Sequence, residues 1–280
     1  MQWKRICSLD APSGYGATVV IPAGIVLIGG TPNGTASNEV KLLTIEGDVA
    51  TISALPSLPV TLDNLATAAI GSKVYAVGGN ADGAPSKSLF MLDMNNLSLG
   101  WVKLREMPGN PRVQPVMAAA VNDNGENMLY VWGGFAPRHG KVEPTLELEG
   151  LCYNPQKDKW SKIEGPKDAE GEELSVGGGA ACTLSDGRIA VIGGVNKDIF
   201  LSALQNQAPD YLQHPVEWYR FNPNILVFDP KTEKWSVEAT TSDAARAGAS
   251  IVAGRNADIF ILGGEIKPRI RTAETLHFNL

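Results

Sequence analysis

Apolar residues along this chain fall in short runs that end in a glycine pair. The runs are Ile25-Val26-Leu27-Ile28-Gly29-Gly30, Val74-Tyr75-Ala76-Val77-Gly78-Gly79, Leu129-Tyr130-Val131-Trp132-Gly133-Gly134, Ile189-Ala190-Val191-Ile192-Gly193-Gly194 and Ile259-Phe260-Ile261-Leu262-Gly263-Gly264. Each is too short for a helix and rich in β-branched and aromatic residues, so each predicts a buried strand. A stretch of small residues precedes the last four: Ala66-Thr67-Ala68-Ala69-Ile70, Met117-Ala118-Ala119-Ala120-Val121, Gly179-Ala180-Ala181-Cys182-Thr183 and Gly248-Ala249-Ser250-Ile251-Val252. After the glycines comes a third apolar run, a polar turn such as Pro155-Gln156-Lys157-Asp158-Lys159 or Pro230-Lys231-Thr232-Glu233-Lys234, and often a tryptophan: Trp101, Trp160, Trp235. Polar turn residues between two apolar runs predict hairpins.

One four-strand unit therefore repeats five times, at spacings that grow from about 50 to about 70 residues. A kelch period is about 50 residues. The fold expected is all-β, a kelch-type β-propeller with five recognisable blades forming a single domain over 1–280. Small side chains suit the innermost strand, where blades converge and room is least. The glycines are expected to be structural, permitting positive φ or close backbone approach, and the tryptophans to pack between blades. The chain begins with Trp3-Lys4-Arg5-Ile6, a Trp strand with no blade before it, and ends with Leu276-His277-Phe278-Asn279-Leu280, a third strand with none after it. The two ends are expected to complete one blade, which would remove an exposed edge.

The longest departure from the template runs from about 196 to 223. Ile199, Phe200, Leu201, Leu204, Tyr211 and Leu212 recur at partly helical spacing, interrupted by Pro209 and Pro215. One or two short helices are expected there, walling a site. Of the aromatics in this stretch, Tyr211, Trp218, Tyr219 and Phe221, packing is the expected role; Trp218 and Tyr219 are the ones singled out as candidates for contact with a ligand.

A formal net charge of −6 gives no sequence-wide attraction to nucleic acid or an anionic membrane, so an anionic ligand needs a local basic cluster. Cys7, Cys152 and Cys182 are far apart and in no CxxC pairing, and His139, His214 and His277 are equally scattered. Neither a disulfide framework nor a metal site is indicated. No stretch has the length and apolarity of a membrane span, and Met1-Gln2-Trp3-Lys4-Arg5 leads into strand-like sequence rather than a signal peptide.

The region from Gly193 to Thr272 carries a more specific resemblance. Gly193-Gly194-Val195-Asn196, Asn224-Ile225-Leu226-Val227-Phe228-Asp229-Pro230 and above all Gly264-Glu265-Ile266-Lys267-Pro268-Arg269-Ile270-Arg271-Thr272 resemble the N-acetylneuraminate epimerases, the sialic acid mutarotases. Pro111-Arg112-Val113-Gln114 and Tyr15-Gly16 are similar to segments that precede inner strands in that family. The resemblance implies interconversion of the anomers of N-acetylneuraminate or a related aldose, a sugar acid as the small-molecule partner, no cofactor, and a periplasmic or secreted location. It also implies six blades, so most of one blade is expected to be absent ahead of Trp3.

By motif matching, Glu265 takes the place of the family's proton acceptor and Arg271 that of its paired arginine. An arginine fork suits a carboxylate through two parallel hydrogen bonds. Arg112, Arg246, Asn196 and Lys267 are candidate substrate-binding residues, the two arginines because they stand just before inner strands. Two other readings stay open on the residues alone: a carbohydrate-binding propeller without turnover, and a kelch protein-interaction scaffold. A copper oxidase of the galactose-oxidase type lacks its histidines here, and no Asp-box repeat suggests a sialidase.

Overall fold

The computed structural model describes residues 5–280, and their regular structure is almost wholly antiparallel strand. The chain divides into two compact units, Met1–Met107 and Pro108–Leu280. The first holds two four-stranded blades. In one, β1 (Ala17–Ile21), β2 (Gly24–Ile28), β3 (Val40–Glu46) and β4 (Val49–Ala54) lie in sequence order; in the other, β5 (Ala66–Ile70), β6 (Lys73–Val77), β7 (Leu89–Asp93) and β8 (Trp101–Lys103) do the same. Trp101 donates its indole N–H to the carbonyl of Pro56 at 2.9 Å and packs on the core shared by the two blades.

The second unit has three blades. β9 (Val116–Val121), β10 (Asn127–Trp132), β11 (Gly150–Asn154) and β12 (Lys159–Ile163) form the first. The second comprises β13 (Ala180–Thr183), β14 (Ile189–Ile192), β15 (Asn224–Asp229) and β16 (Lys234–Thr240). The third sheet has β17 (Ser250–Ala253) and β18 (Asp258–Leu262), then a small hairpin of β19 (Glu265–Lys267) and β20 (Ile270–Arg271), and closes with β21 (Thr275–Asn279). The Trp strand expected at the N-terminus includes Trp3 and Lys4, which lie outside the described residues. This architecture is that of a kelch-type β-propeller.

Alternation along the strands places the core between blades. Ala118, Tyr130, Cys152, Val191, Leu226 and Phe228 share one cluster, with Trp132 and Trp235 meeting edge to face at 5.0 Å inside it. Both indoles donate to the carbonyl of Glu164, at 3.2 and 3.3 Å. The small inner strands run close enough to be bonded directly: Thr183 donates to the Ala119 carbonyl at 2.6 Å. Trp101, Trp235 and the small-residue strands thus do what their spacing suggested, while Trp160 packs on Tyr153 of its own blade.

The loop after each glycine pair obeys one rule. It leaves the second glycine and returns to donate a backbone N–H to that glycine's carbonyl, from Ser37, Ser86, Glu147, Asn222 and Thr272 at 2.9–3.0 Å. Four of the five returning residues use a side-chain oxygen to cap the amide two positions on, at 3.0–3.2 Å. Glu147 is the odd member. In the second unit the loops 194–222 and 264–272 are the ones that carry the candidate chemistry.

Candidate functional site

Glu265 follows Gly264 directly, and the glycine is what allows its position. Gly264 has φ of 94°, and a Cβ there would stand 2.8 Å from the Ala249 side chain and 3.1 Å from the Ala247 carbonyl. Free of that clash, the chain approaches the segment before β17 and Glu265 exchanges two backbone hydrogen bonds with Ala247, at 2.6 and 3.0 Å. The main chain of Glu265 is thereby tied to the start of an inner strand. Across the β19–β20 hairpin Glu265 pairs in register with Arg271. Its carboxylate accepts from Arg271 Nε at 3.4 Å and, through the other oxygen, from the backbone N–H of Arg269 at 3.2 Å. Arg269 sits at φ of 67°, the left-handed turn that aims this N–H inward.

The Arg271 side chain is 65% exposed. Only its Nε is used on Glu265, which leaves the Nη pair of this exposed side chain available to other acceptors. Glu265, one quarter exposed, is reachable by solvent yet fixed through both oxygens.

The insertion stands beside this hairpin. α1 (Lys197–Asn206) ends ahead of Pro209, and a 3₁₀ turn, Val216–Tyr219, follows Pro215, as the proline positions predicted. Val195, Tyr219 and Phe221 form a buried cluster on which Phe200, Tyr211 and Ala247 pack. Tyr219 is 1% exposed and donates its hydroxyl to the carbonyl of Tyr211. Trp218 is exposed and stacks on His214 at 3.8 Å. Lys267 reaches across from β19, donating to the His214 carbonyl at 2.7 Å with its ammonium 6.0 Å from the Tyr219 ring centre. Its charge ties hairpin to insertion, a different task from the ligand contact expected of it.

Burial and the charge of Glu265 meet at Tyr211. Desolvation first, then Tyr219, then the Glu265 carboxylate push the Tyr211 phenol up to about 12. Tyr211, rather than the two aromatics singled out in the sequence, is the one that senses the candidate base. Nothing local in the sequence distinguishes it, because its place depends on how α1 and the 3₁₀ turn fold back on β19.

Arg112 and Arg246 depart from the expected role. Their side chains are 1% and 2% exposed. Each donates Nη1 to the carbonyl of the first glycine in its own blade, Arg112 to Gly133 at 3.3 Å and Arg246 to Gly263 at 2.8 Å. Arg112 meets Glu147 at 3.4 Å, and desolvation lowers its basicity while the Glu147 charge opposes the change. Arg246 meets Glu274 at 2.9 Å and also donates Nε to the Asp243 carbonyl at 2.8 Å. Standing before an inner strand makes an arginine a clamp on the glycine turn, and this corrects the reading of these two as open ligand contacts.

Asn196 is likewise committed. It caps α1, its side-chain oxygen accepting from the amides of Asp198 and Ile199 at 3.1 Å. It lines a cleft of about 770 Å³ with Lys197, Arg220 and the carboxylates Asp168, Glu170 and Glu172. Glu265 and Arg271 do not line this cleft, and its acidic rim disfavours a sugar acid. Of the six candidates, then, the structure brings together Glu265, Arg271 and Lys267, and sets Arg112, Arg246 and Asn196 to structural work.

Comparison with known proteins follows the same line. The profile of the N-acetylneuraminate epimerase family matches residues 55–280. An N-acetylneuraminate epimerase of Brucella melitensis is 30% identical over 234 residues, covering 78% of this chain and 57% of that protein. One from Haemophilus influenzae is 30% identical over 79% of this chain and 58% of its own length. A Vibrio cholerae protein named as Kelch domain-containing is 28% identical over 80% of this chain and 63% of its length. A solved structure titled "Structure of YjhT" superposes with a TM-score of 0.66 at 26% identity, over 80% of this chain and 65% of that one. The chain thus spans less than two thirds of the length of the relatives it matches.

Proposed function

This chain belongs to the N-acetylneuraminate epimerase family, and from that premise we propose that it interconverts the anomers of N-acetylneuraminate by acid–base ring opening at Glu265. The single observation that carries the proposal is the Glu265 carboxylate, held through both oxygens by Arg271 and the Arg269 amide while remaining open to solvent. A fixed, accessible carboxylate is what abstraction of the anomeric hydroxyl proton requires. As that proton leaves, the electron pair forms the carbonyl, the bond from the anomeric carbon to the ring oxygen breaks, and the ring oxygen takes a proton. Rotation and reclosure on the other face of the carbonyl give the second anomer.

Arg271 has two duties in this scheme. Its Nε keeps the Glu265 carboxylate oriented, and its free Nη pair is placed to receive the carboxylate that distinguishes a sialic acid from a neutral sugar. An acidic protein then binds an anionic sugar through one local fork. Membership of the family also carries the expectation of a periplasmic or secreted location.

NMR exchange between the anomers of N-acetylneuraminate tests the proposal. The 280-residue chain is expected to accelerate exchange over buffer, and Glu265→Gln, which keeps the shape and loses the base, to lower the rate by at least about 100-fold. A folded wild-type chain that leaves exchange at the buffer rate would reject catalysis by this chain and leave a propeller that binds without turnover.

A further inference from the structure

Ring opening moves two protons, and Glu265 accounts for one of them. We infer that the hydroxyl of Tyr211 handles the other, donating to the sugar's ring oxygen as Glu265 accepts the proton of the anomeric hydroxyl; this rests on the mutarotase reading above. A guanidinium keeps its proton and makes a poor general acid. The Lys267 ammonium is held by the His214 carbonyl, and the Tyr219 hydroxyl by the Tyr211 carbonyl, with the Tyr219 ring buried. The Tyr211 hydroxyl, by contrast, has no hydrogen-bond partner among the described residues.

Its ring is nonetheless fixed. Tyr211 meets Tyr219 edge to face at 5.4 Å and 84°, Trp218 at 6.1 Å and Phe200 at 6.4 Å. The main chain is held by the bond that Tyr219 makes to its carbonyl. Tyr211 packs on the same cluster as Ala247, the residue that exchanges two backbone hydrogen bonds with Glu265, and a rigid aromatic with an unengaged hydroxyl on that half-buried wall is a preorganised donor. Pushed up to about 12 by burial, by Tyr219 and by Glu265, the phenol stays protonated at neutral pH. It gives its proton only to a more basic atom, which a ring oxygen becomes as its bond to the anomeric carbon breaks. Glu265 stands ready as acceptor and Tyr211 as donor, two groups of opposite duty in one site. In opening, the anomeric proton passes to Glu265 and the Tyr211 proton to the ring oxygen. In reclosure both transfers run backwards, so nothing is consumed.

Anomer exchange measured over a range of N-acetylneuraminate concentrations for the wild type, Tyr211→Phe and Tyr219→Phe tests this. Tyr211→Phe has no hydrogen bond to lose, and is expected to keep the thermal midpoint while kcat falls about 100-fold with KM little changed. Tyr219→Phe, which removes the neighbouring bonded hydroxyl, is expected to lower the midpoint and keep kcat within tenfold, an order-of-magnitude bound. Tyr211→Phe with more than half the wild-type kcat, or with a change confined to KM, would overturn the inference and leave the mutarotase reading standing. A wild-type chain without acceleration would overturn that reading and this inference with it.

Discussion

Among the described residues of the second unit five arginines pair with carboxylates, and three of them, Arg112, Arg246 and Arg271, serve two different ends. Arg112 and Arg246 are enclosed, each gripping the glycine turn of its blade. Arg271 is open and uses one nitrogen on Glu265. A buried guanidinium needs a carboxylate or carbonyl partner for its charge, because an unpaired charge away from water costs several kcal/mol. An exposed one leaves donors to water, and so to a ligand. Burial, more than residue type or pairing, separates the arginines that support the fold from the arginine of the proposed chemistry.

The sharpest way to break this contrast is to remove the carboxylate from each kind of pair. Glu147→Ala leaves the enclosed Arg112 without its partner, and Arg112 Nε already lacks an acceptor. The expected loss is about 3–5 kcal/mol, read from the urea unfolding midpoint, and a change of less than about 1 kcal/mol would show that this pair is not the support described. Glu147 occupies the returning position that Ser37, Ser86, Asn222 and Thr272 fill in the other blades, so the second variant Glu147→Ser tests whether the smaller cap suffices. It is expected to fall between wild type and alanine, since the cap returns and the charge partner does not.

Between those extremes lies Lys267, which joins hairpin to insertion. Lys267→Met keeps the stem and removes the bond to the His214 carbonyl, with an expected loss of about 1 kcal/mol. The loss should be local. Hydrogen exchange is expected to quicken across residues 211–219 and to stay unchanged in β9–β12, since that blade makes no use of the tie. Uniform protection in both variant and wild type would show that the insertion holds itself against β19 without the lysine.

Much of this molecule could be read in its sequence, and the part that could not has a physical reason. The glycine pairs, small inner strands and tryptophans state local requirements, so a single pass along the chain locates every blade described here. The hairpin that pairs Glu265 with Arg271 is local too, six residues apart, and motif and geometry agree on it. The clamp roles are different. Arg112 finds its carboxylate 35 residues away and Arg246 finds its own 28 residues away, and no spacing announces either. The signal available was the recurrence itself: an arginine before an inner strand in two blades suggests a duty of the repeat. Tyr211 was hidden because its neighbours come from a loop whose fold rests on a cap at Asn196 and a buried Tyr219, features visible only once the chain has turned back on itself.

The smallest effect is expected at Glu274, and it completes the contrast with Glu147. Both carboxylates meet a buried arginine at hydrogen-bond distance, yet Glu274 is 67% exposed and Glu147 only 9%. Arg246 also has three backbone acceptors, the carbonyls of Asp243, Gly263 and Glu274, and all three survive a change of the Glu274 side chain. Glu274→Gln therefore removes a charge that water already screens, and the guanidinium keeps its backbone bonds. The urea midpoint is expected to move by less than about 1 kcal/mol. A loss as large as that of Glu147→Ala would mean that the ion pair, rather than the carbonyl clamp, holds Arg246 in place, and that exposure is a poor guide to which pairs this fold depends on.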